Sequence, residues 1–465
     1  MRHIEWRRLV IRNLIVVIMV AAAQVASAET RPQYGGVLHI AMRAAPASLD
    51  PADGLLDNAA PDSFGRRSLA MLMFDTLVTT DENGRVQASL ATTWRVLPGS
   101  QHWQIQIRRG VTFHDGTPLT AEAVAASLHA ANPSWNVSAD GDSVTIEWDN
   151  SSPDLLQELA LPRNAIARRT SGSNPSGTGP FHIVDWQPGK KLALAANEDC
   201  WRGRPFLDPI EIEMGKTFHD QITELELGNA DLVEVAPDQA HRAQQKGRSL
   251  ASSMPVELLA LFFSRDAASP EEKVLRQALA LSVERRSIRR VLLQGVGQPA
   301  ASILPDWMSG YAFVFSTDAD LPRARQALAQ VHRVPTWTLA YDATNPLARL
   351  LAERISLNAK DAGLALQPTA STTADLRLMQ VPLVSPDPWI ALGNVAALAG
   401  LPIGKSQGTV EDLYSSELAL LATQRDIPLF HLPVSYSAAT TVKNWTLRAD
   451  GTWTVADAWL ENAKQ

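Results

Sequence analysis

The stretch TWTLAYDATNPLARLLAERISLNAKDAGLALQPT, Thr336 to Thr369, decides the fold class. It reads as strand 336–341, helix 345–361 and strand 364–369, the order of a βαβ unit with a parallel strand pair. Strands and helices go on alternating outward from it. Strand Glu257 to Phe263 precedes helices at 271–282 and 284–293, and a helix at 411–424 leads into a Pro-flanked strand, Leu429 to Tyr436. Near the start, Val37 to Ala41 reads as a first strand, followed by a Pro- and Asp-rich loop from Pro46 to Pro61. Residues 63–78 carry Phe64, Leu69, Leu72, Met73 and Leu77 at helical spacing. Gln101 to Ile107 and Val144 to Trp148 alternate polar with apolar residues, as half-buried strands do. Between them Thr120, with Glu122 in the first turn, starts a helix through Leu128. Strands follow at 181–186, 191–196 and 210–213, then a helix at 217–228. The Gly/Ser/Pro-rich run from Ser171 to Pro180 marks a domain crossing or a tight structured turn. The pattern predicts a multi-domain α/β protein.

Composition narrows the function classes. Of 465 residues, 45% are hydrophobic and 20% charged, which excludes a disordered chain. One cysteine, Cys200, forms no internal disulfide, and beside Trp201 it reads as a small buried residue rather than a reactive thiol. Lys and Arg total 42 against 49 Asp and Glu, a net charge of −7, which argues against a nucleic-acid surface. Thirteen Trp against five Tyr point weakly to an aromatic-lined cleft.

Residues 1–28 read as a secretory signal. Arg2, Arg7, Arg8 and Arg12 make a basic start, Leu14 to Ala23 is an apolar run, and Ala26-Ser27-Ala28 supplies the small residues of a cleavage site. The apolar run falls short of the about 20 residues a membrane helix needs. Arg7-Arg8 leaves Sec and Tat export both open. Cleavage after Ala28 leaves 437 residues with a net charge of −10, expected as a soluble periplasmic protein.

Catalytic signatures are absent: no H-E-x-x-H, C-x-x-C or G-x-S-x-G occurs. Gly400 to Ser406 resembles a phosphate loop but is one spacer short, and Pro402 removes an N–H from the cradle. The histidines from His39 onward never pair at i, i+3 or i+4, so no local metal site is expected. No catalytic residue, metal or cofactor is predicted.

Several strings, in order, carry a family resemblance. Gly35-Gly36-Val37-Leu38-His39-Ile40-Ala41 is followed by Ser48-Leu49-Asp50-Pro51, then by Phe74-Asp75-Thr76-Leu77-Val78. Arg108-Arg109-Gly110-Val111-Thr112-Phe113-His114-Asp115-Gly116-Thr117-Pro118-Leu119-Thr120-Ala121-Glu122 is the most diagnostic. Gly177-Thr178-Gly179-Pro180-Phe181, Asn197-Glu198-Asp199-Cys200-Trp201, Val274 to Leu279 and Leu432-Pro433-Val434-Ser435-Tyr436 complete the set. Together they resemble the extracellular solute-binding proteins of family 5, the peptide and nickel receptors of ABC importers. The resemblance implies a two-lobed periplasmic binding protein of the class II type, with mixed sheets flanked by helices and an extra subdomain on the first lobe. Its expected parts are lobe I at 29–48, 171–250 and 428–465, the extra subdomain at 49–170, and lobe II at 251–427. A monomer is expected, closing on a small-molecule or peptide ligand and docking on ABC permease subunits in the inner membrane.

Leu155 to Arg163 looks closer to the nickel-binding branch, in which an Arg at the position of Arg163 holds carboxylates of a metal-chelating molecule. A guanidinium fork suits bidentate carboxylate recognition, while a solvated Arg after a helix is the plain alternative. Pro382 stands where that branch has a pocket Trp, and Gly400 where it has a metal-contacting His. Asp387-Pro388-Trp389 keeps a shared D-P pair, but Val384 replaces the peptide branch's amine-binding carboxylate. Trp389 either stacks on ligand or packs in its lobe, and Tyr436 either reaches the cleft or is an ordinary strand residue. The expected ligand-binding set is therefore Arg163, Asp387, Trp389 and Tyr436. The expected function is capture of a small carboxylate-bearing solute, a metal chelate or a short peptide. An oligopeptide receptor reading backbone, and a ligand sensor docking on a membrane signalling protein, are the alternatives.

Overall fold

The computed structural model describes residues 31–55, 64–81, 84–98, 101–148, 154–172, 174–245, 249–311, 315–383, 385–403 and 409–461. The expected secretory signal at 1–28 and the end of the loop-like Gly400 to Ser406 lie outside the described residues.

The stretch from Thr336 folds as its sequence indicates. Strands Thr336–Ala340 and Ala365–Thr369 pair in parallel, from Thr336 opposite Ala365 to Ala340 opposite Thr369, joined by helix Pro346–Ala362. Asn345 caps that helix by accepting from the Leu347 and Ala348 amides. Gly363 ends it in the left-handed conformation that glycine adopts without a Cβ clash. Leu347, Leu351 and Ile355 point to the sheet at helical spacing and join one lobe core.

This unit is one edge of a sheet that runs through both lobes. From that edge the order is Ala365–Thr369, Thr336–Ala340, Leu376–Pro382, Ser249–Phe263, Asp426–Ala438, Leu232–Glu234, Leu38–Ala41, Ile210–Glu213, Lys191–Ala196 and Phe181–Gln187. Two long antiparallel strands, Ser249–Phe263 and Asp426–Ala438, cross between the lobes. Both exceed their sequence-based lengths. The extra part of the first is Ser249 to Val256, a serine-rich start without apolar alternation, of which Ser249 to Ser252 pair with Ser435 to Ala438 on the lobe I side. The ladder shifts register on either side of Pro255, which lies opposite Pro433. Neither proline donates an N–H, so the two-strand connection is weakest in hydrogen bonds where it passes between the lobes.

Lobe I packs around Leu38, Leu72, Phe74, Phe181 and Trp453. Lobe II buries both faces of its sheet, one against Leu279 and Ile355, the other against Leu392 and Leu413. A separate four-stranded antiparallel sheet, in the order Ala91–Val96, His102–Ile107, Ser143–Glu147, Val137–Asp140, carries helix Ala121–Ala131 and its own core around Ile105, Phe113, Val124 and Val144. Thr120 caps that helix by accepting from the Ala123 amide.

Four of the family-like strings, at Phe74–Val78, Arg108–Glu122, Gly177–Phe181 and Asn197–Trp201, meet around one buried carboxylate. Asp75 is 1% exposed and accepts from Thr178 Oγ1 at 2.9 Å, Trp201 Nε1 at 2.8 Å and Arg202 at 2.6 Å. His114 donates its amide to the Gly177 carbonyl, and its ring reaches the Gly179 carbonyl at 3.0 Å. The end of the Gly/Ser/Pro-rich run is tightly packed: a Cβ on Gly177 would lie 2.0 Å from the Met73 carbonyl oxygen. Cys200 is buried, and burial pushes its thiol up.

Candidate functional site

A cavity of about 340 Å³ opens between the lobes beside the crossing strands. Lobe I contributes Arg43, just past the first strand, Phe64, Phe218 and Glu234. From across the cleft come Glu257 on the first crossing strand and Met379 and Gln380 on strand Leu376–Pro382. Tyr436, on the second crossing strand, lines it as well. The lining is mostly apolar with a few convergent polar groups, the usual make-up of a small-molecule site.

The polar groups form one electrostatic unit. Arg43 donates Nε to Glu234 Oε2 at 3.2 Å and lies 4.2 Å from the centre of the Phe218 ring. Burial works against its charge, but Glu234 and Glu257 outweigh that and hold it above the ordinary arginine value. Glu257 is 7% exposed and accepts from the Gln380 amide. Burial pushes its carboxyl up to about 7, with Arg43 and Gln380 opposing. The Tyr436 hydroxyl is buried and makes no hydrogen bond of ordinary geometry. Burial raises its phenol, Glu234 and Glu257 add to the rise, and Arg43 and a looser contact with Trp453 oppose it. An unpaired hydroxyl facing a cavity is a donor held for a ligand or a water.

Of the four residues singled out in the sequence, only Tyr436 lines this cavity. Arg163, on the short helical turn Pro162–Asn164, forms a bidentate pair with Glu158 at 2.9 and 2.6 Å. Asp387 caps helix Pro388–Leu398, accepting from the Trp389 and Ile390 amides. Burial raises its carboxyl, those amides oppose the rise, and Asp154 and Glu158 add to it. Trp389 is 9% exposed and packs with Leu392 and Val395 in a lobe II core. Arg163 and Asp387 thus sit near each other, where Leu161 meets Ile390, in structural roles that the spacing of the sequence does not reveal. Arg43, Glu234 and Glu257 were missed because they are far apart in the chain and only the sheet order joins them. One signal was present: Glu257 opens the run Glu257-Leu258-Leu259-Ala260-Leu261-Phe262-Phe263, and a carboxylate in a fully buried strand is rarely there for packing alone. Among the described residues no group of three or more His, Cys, Asp or Glu is placed to hold a metal ion, and no helix is long and apolar enough to cross a membrane.

Comparison with known proteins identifies the family and the fold. The nickel-binding protein NikA of Staphylococcus aureus is 25% identical over 312 residues, 63% of each chain. The oligopeptide-binding protein AppA of Bacillus subtilis is 24% identical over 337 residues, 64% of this chain and 60% of AppA. These alignments span about three fifths of the relatives' own length. The crystal structure of S. aureus NikA in complex with Ni(L-His)2 superposes with a TM-score of 0.77 at 18% identity, covering 92% of this chain and 99% of that one, and so shares the two-lobed fold. The sequence model of the bacterial extracellular solute-binding proteins, family 5, in its middle region, matches residues 85–381. That match covers well over half of the chain, and the chain belongs to the bacterial extracellular solute-binding proteins, family 5.

Proposed function

We propose that this protein is the periplasmic solute-binding component of an ABC importer, which captures a small solute between its lobes and delivers it to a membrane permease. The observation that carries the reading is a cavity lined from both lobes beside a two-strand connection. A ligand touching both sides stabilises the closed arrangement through its contacts there, and only such differential contacts shift a hinge equilibrium. The lobes of this reading are 29–48, 171–250 and 428–465 for the first, with the extra subdomain at 49–170, and 251–427 for the second. At about 340 Å³ the cavity lies near the small end of ligand sites. A solute of dipeptide size or a compact metal chelate fits it better than a long peptide. The relatives named for nickel and for oligopeptides bracket that choice. A carboxylate on such a solute meets Arg163 only if Glu158 releases it, whereas Arg43 already faces the cavity.

Native mass spectrometry of the protein purified from its own exported compartment tests the reading. One small molecule per chain, released chemically intact on denaturation, is expected. Release of an altered product, or no bound molecule together with no thermal shift from dipeptides or nickel chelates, would overturn it. With the recovered solute, Tyr436→Phe is expected to weaken binding about fivefold by removing the unpaired donor, and to stabilise the free protein by about 1 kcal/mol. Arg163→Ala is expected to leave the affinity within about twofold, because that guanidinium is already occupied. Isothermal titration of the two variants checks both.

A further inference from the structure

A second cavity of about 100 Å³ lies behind Phe64. Helix Phe64–Met73, strand Val78–Thr80, helix Leu155–Leu159 and the hairpin strand Trp453–Thr454 meet around it. Its charged lining is basic: Arg67, Arg202 and Arg448 against one carboxylate, Asp450. Arg202 is engaged by Asp75 at 2.6 Å. Arg448 donates to the Thr80 carbonyl, and its Nε stays 3.9 Å from Asp450.

Arg67 is different. It is 4% exposed, its Nη1 is buried without a hydrogen-bond partner, and no carboxylate among the described residues pairs with it. The Phe64 ring centre lies 5.8 Å from its guanidinium carbon. The same cavity holds the opposite deficit. Gln157 donates Nε2 to the Gly84 carbonyl at 2.9 Å, which fixes the amide's orientation, and its Oε1 is buried with no donor. A buried guanidinium without an anion and a buried amide oxygen without a donor are both costly. A water would satisfy the hydrogen bonds and leave the charge uncompensated. An oxyanion that also carries a hydroxyl would satisfy both.

We propose that this chamber holds the oxyanionic end of the captured solute, a carboxylate or phosphate group with a hydroxyl on or beside it: Arg67 and Arg448 take its oxygens and the hydroxyl donates to Gln157. The inference rests on the reading of the chain as a solute receptor. Phe64 is the partition between the two chambers: its ring lines the interlobe cavity on one side and lies under Arg67 on the other. Gly451 lets the ring sit there; a Cβ on it would meet Phe64 at 2.8 Å. On this proposal the solute's body occupies the interlobe cavity and its anionic end reaches past the Phe64 ring.

Isothermal titration of the full chain with glycolate, hydrogen phosphate and acetate tests the chamber alone. Glycolate or phosphate is expected to bind, and whichever is tighter identifies the source of the oxyanion. Acetate, lacking a hydroxyl, is expected to be about fivefold weaker than glycolate. Arg67→Met should weaken all three by more than about tenfold, while Gln157→Leu should bring glycolate down to the acetate level and leave acetate unchanged. If Arg67→Met does not fold, Gln157→Leu still decides. Absence of oxyanion binding in the unmodified chain, or binding that neither substitution alters, overturns the proposal. A recovered solute whose affinity ignores Arg67→Met also overturns it and leaves the receptor reading standing. Oxyanion binding that depends on Arg67, with no solute ever recovered, would do the reverse.

Discussion

Asp75→Ala is expected to destabilise the protein by about 3 kcal/mol. The carboxylate is buried and accepts from a hydroxyl, an indole and a guanidinium that come from different parts of the chain. Its removal leaves the Thr178 hydroxyl and the Trp201 Nε1 without their acceptor. Arg202 is 43% exposed at its side chain and is rescued in part by water, which keeps the figure at the low end for a broken buried pair. Asp75→Asn keeps one acceptor and should cost about half as much. Urea denaturation of the three proteins measures this, and a loss under about 1 kcal/mol for the alanine variant would mean that the junction is held by packing alone. The turn at Gly177 and Gly179 depends on the same junction, since both glycines lie against the Met73 backbone.

Asp426→Asn is expected to act in the opposite direction, stabilising the protein by on the order of 3 kcal/mol above neutral pH and little near pH ~4. Asp426 is 3% exposed, its Oδ2 is buried without a partner, and burial, followed by the nearby Glu417, pushes its carboxyl up to about 7. Its ordinary value is 3.8. Between the two, the folded protein holds a proton that the unfolded chain has released, so stability falls as pH rises through that window and stays low above it. Glu257, raised from 4.5 to about 7, has the same sign. His431 has the opposite sign: burial lowers it from 6.5 to about 4, so its contribution is lost as pH falls through that range. Where the three overlap, one net proton remains on the folded side, a slope of about −1.4 kcal/mol per pH unit that Asp426→Asn should flatten. Thermal melts at pH ~5 and pH ~8 check the sign. A gain no larger at the higher pH would show that the Asp426 carboxyl ionises freely in the fold.

The parts of this fold that could be read in the sequence are those whose signals are local. The βαβ unit at Thr336 to Thr369 satisfies its own helix cap, glycine stop and apolar face within one stretch. Strand Leu376–Pro382 has no such self-contained signal. It mixes buried and exposed positions and ends in Pro382, and it is a strand because Thr336–Ala340 and Ser249–Phe263 flank it. Leu232–Glu234, only three residues long, becomes central by pairing with Leu38–Ala41 and Asp426–Ala438. The site follows the same rule. The strings around Phe74, His114, Gly177 and Trp201 gather at Asp75, a structural junction, whereas the one that ends in Tyr436 lines the interlobe cavity. Tyr436 was visible as one of two readings for a strand residue. Its partners in the cavity were not, because Arg43 follows one strand, Glu234 and Glu257 lie on two others, and the three meet only in the assembled sheet.

On the proposed function a solute is held between the lobes beside the two crossing strands. A crystal structure of the protein purified with its natural load tests this most directly. Density for a small molecule is expected in the interlobe cavity, within hydrogen-bond reach of Arg43, Glu257 and the Tyr436 hydroxyl. A bound solute placed elsewhere, with that cavity filled only by solvent, would contradict it.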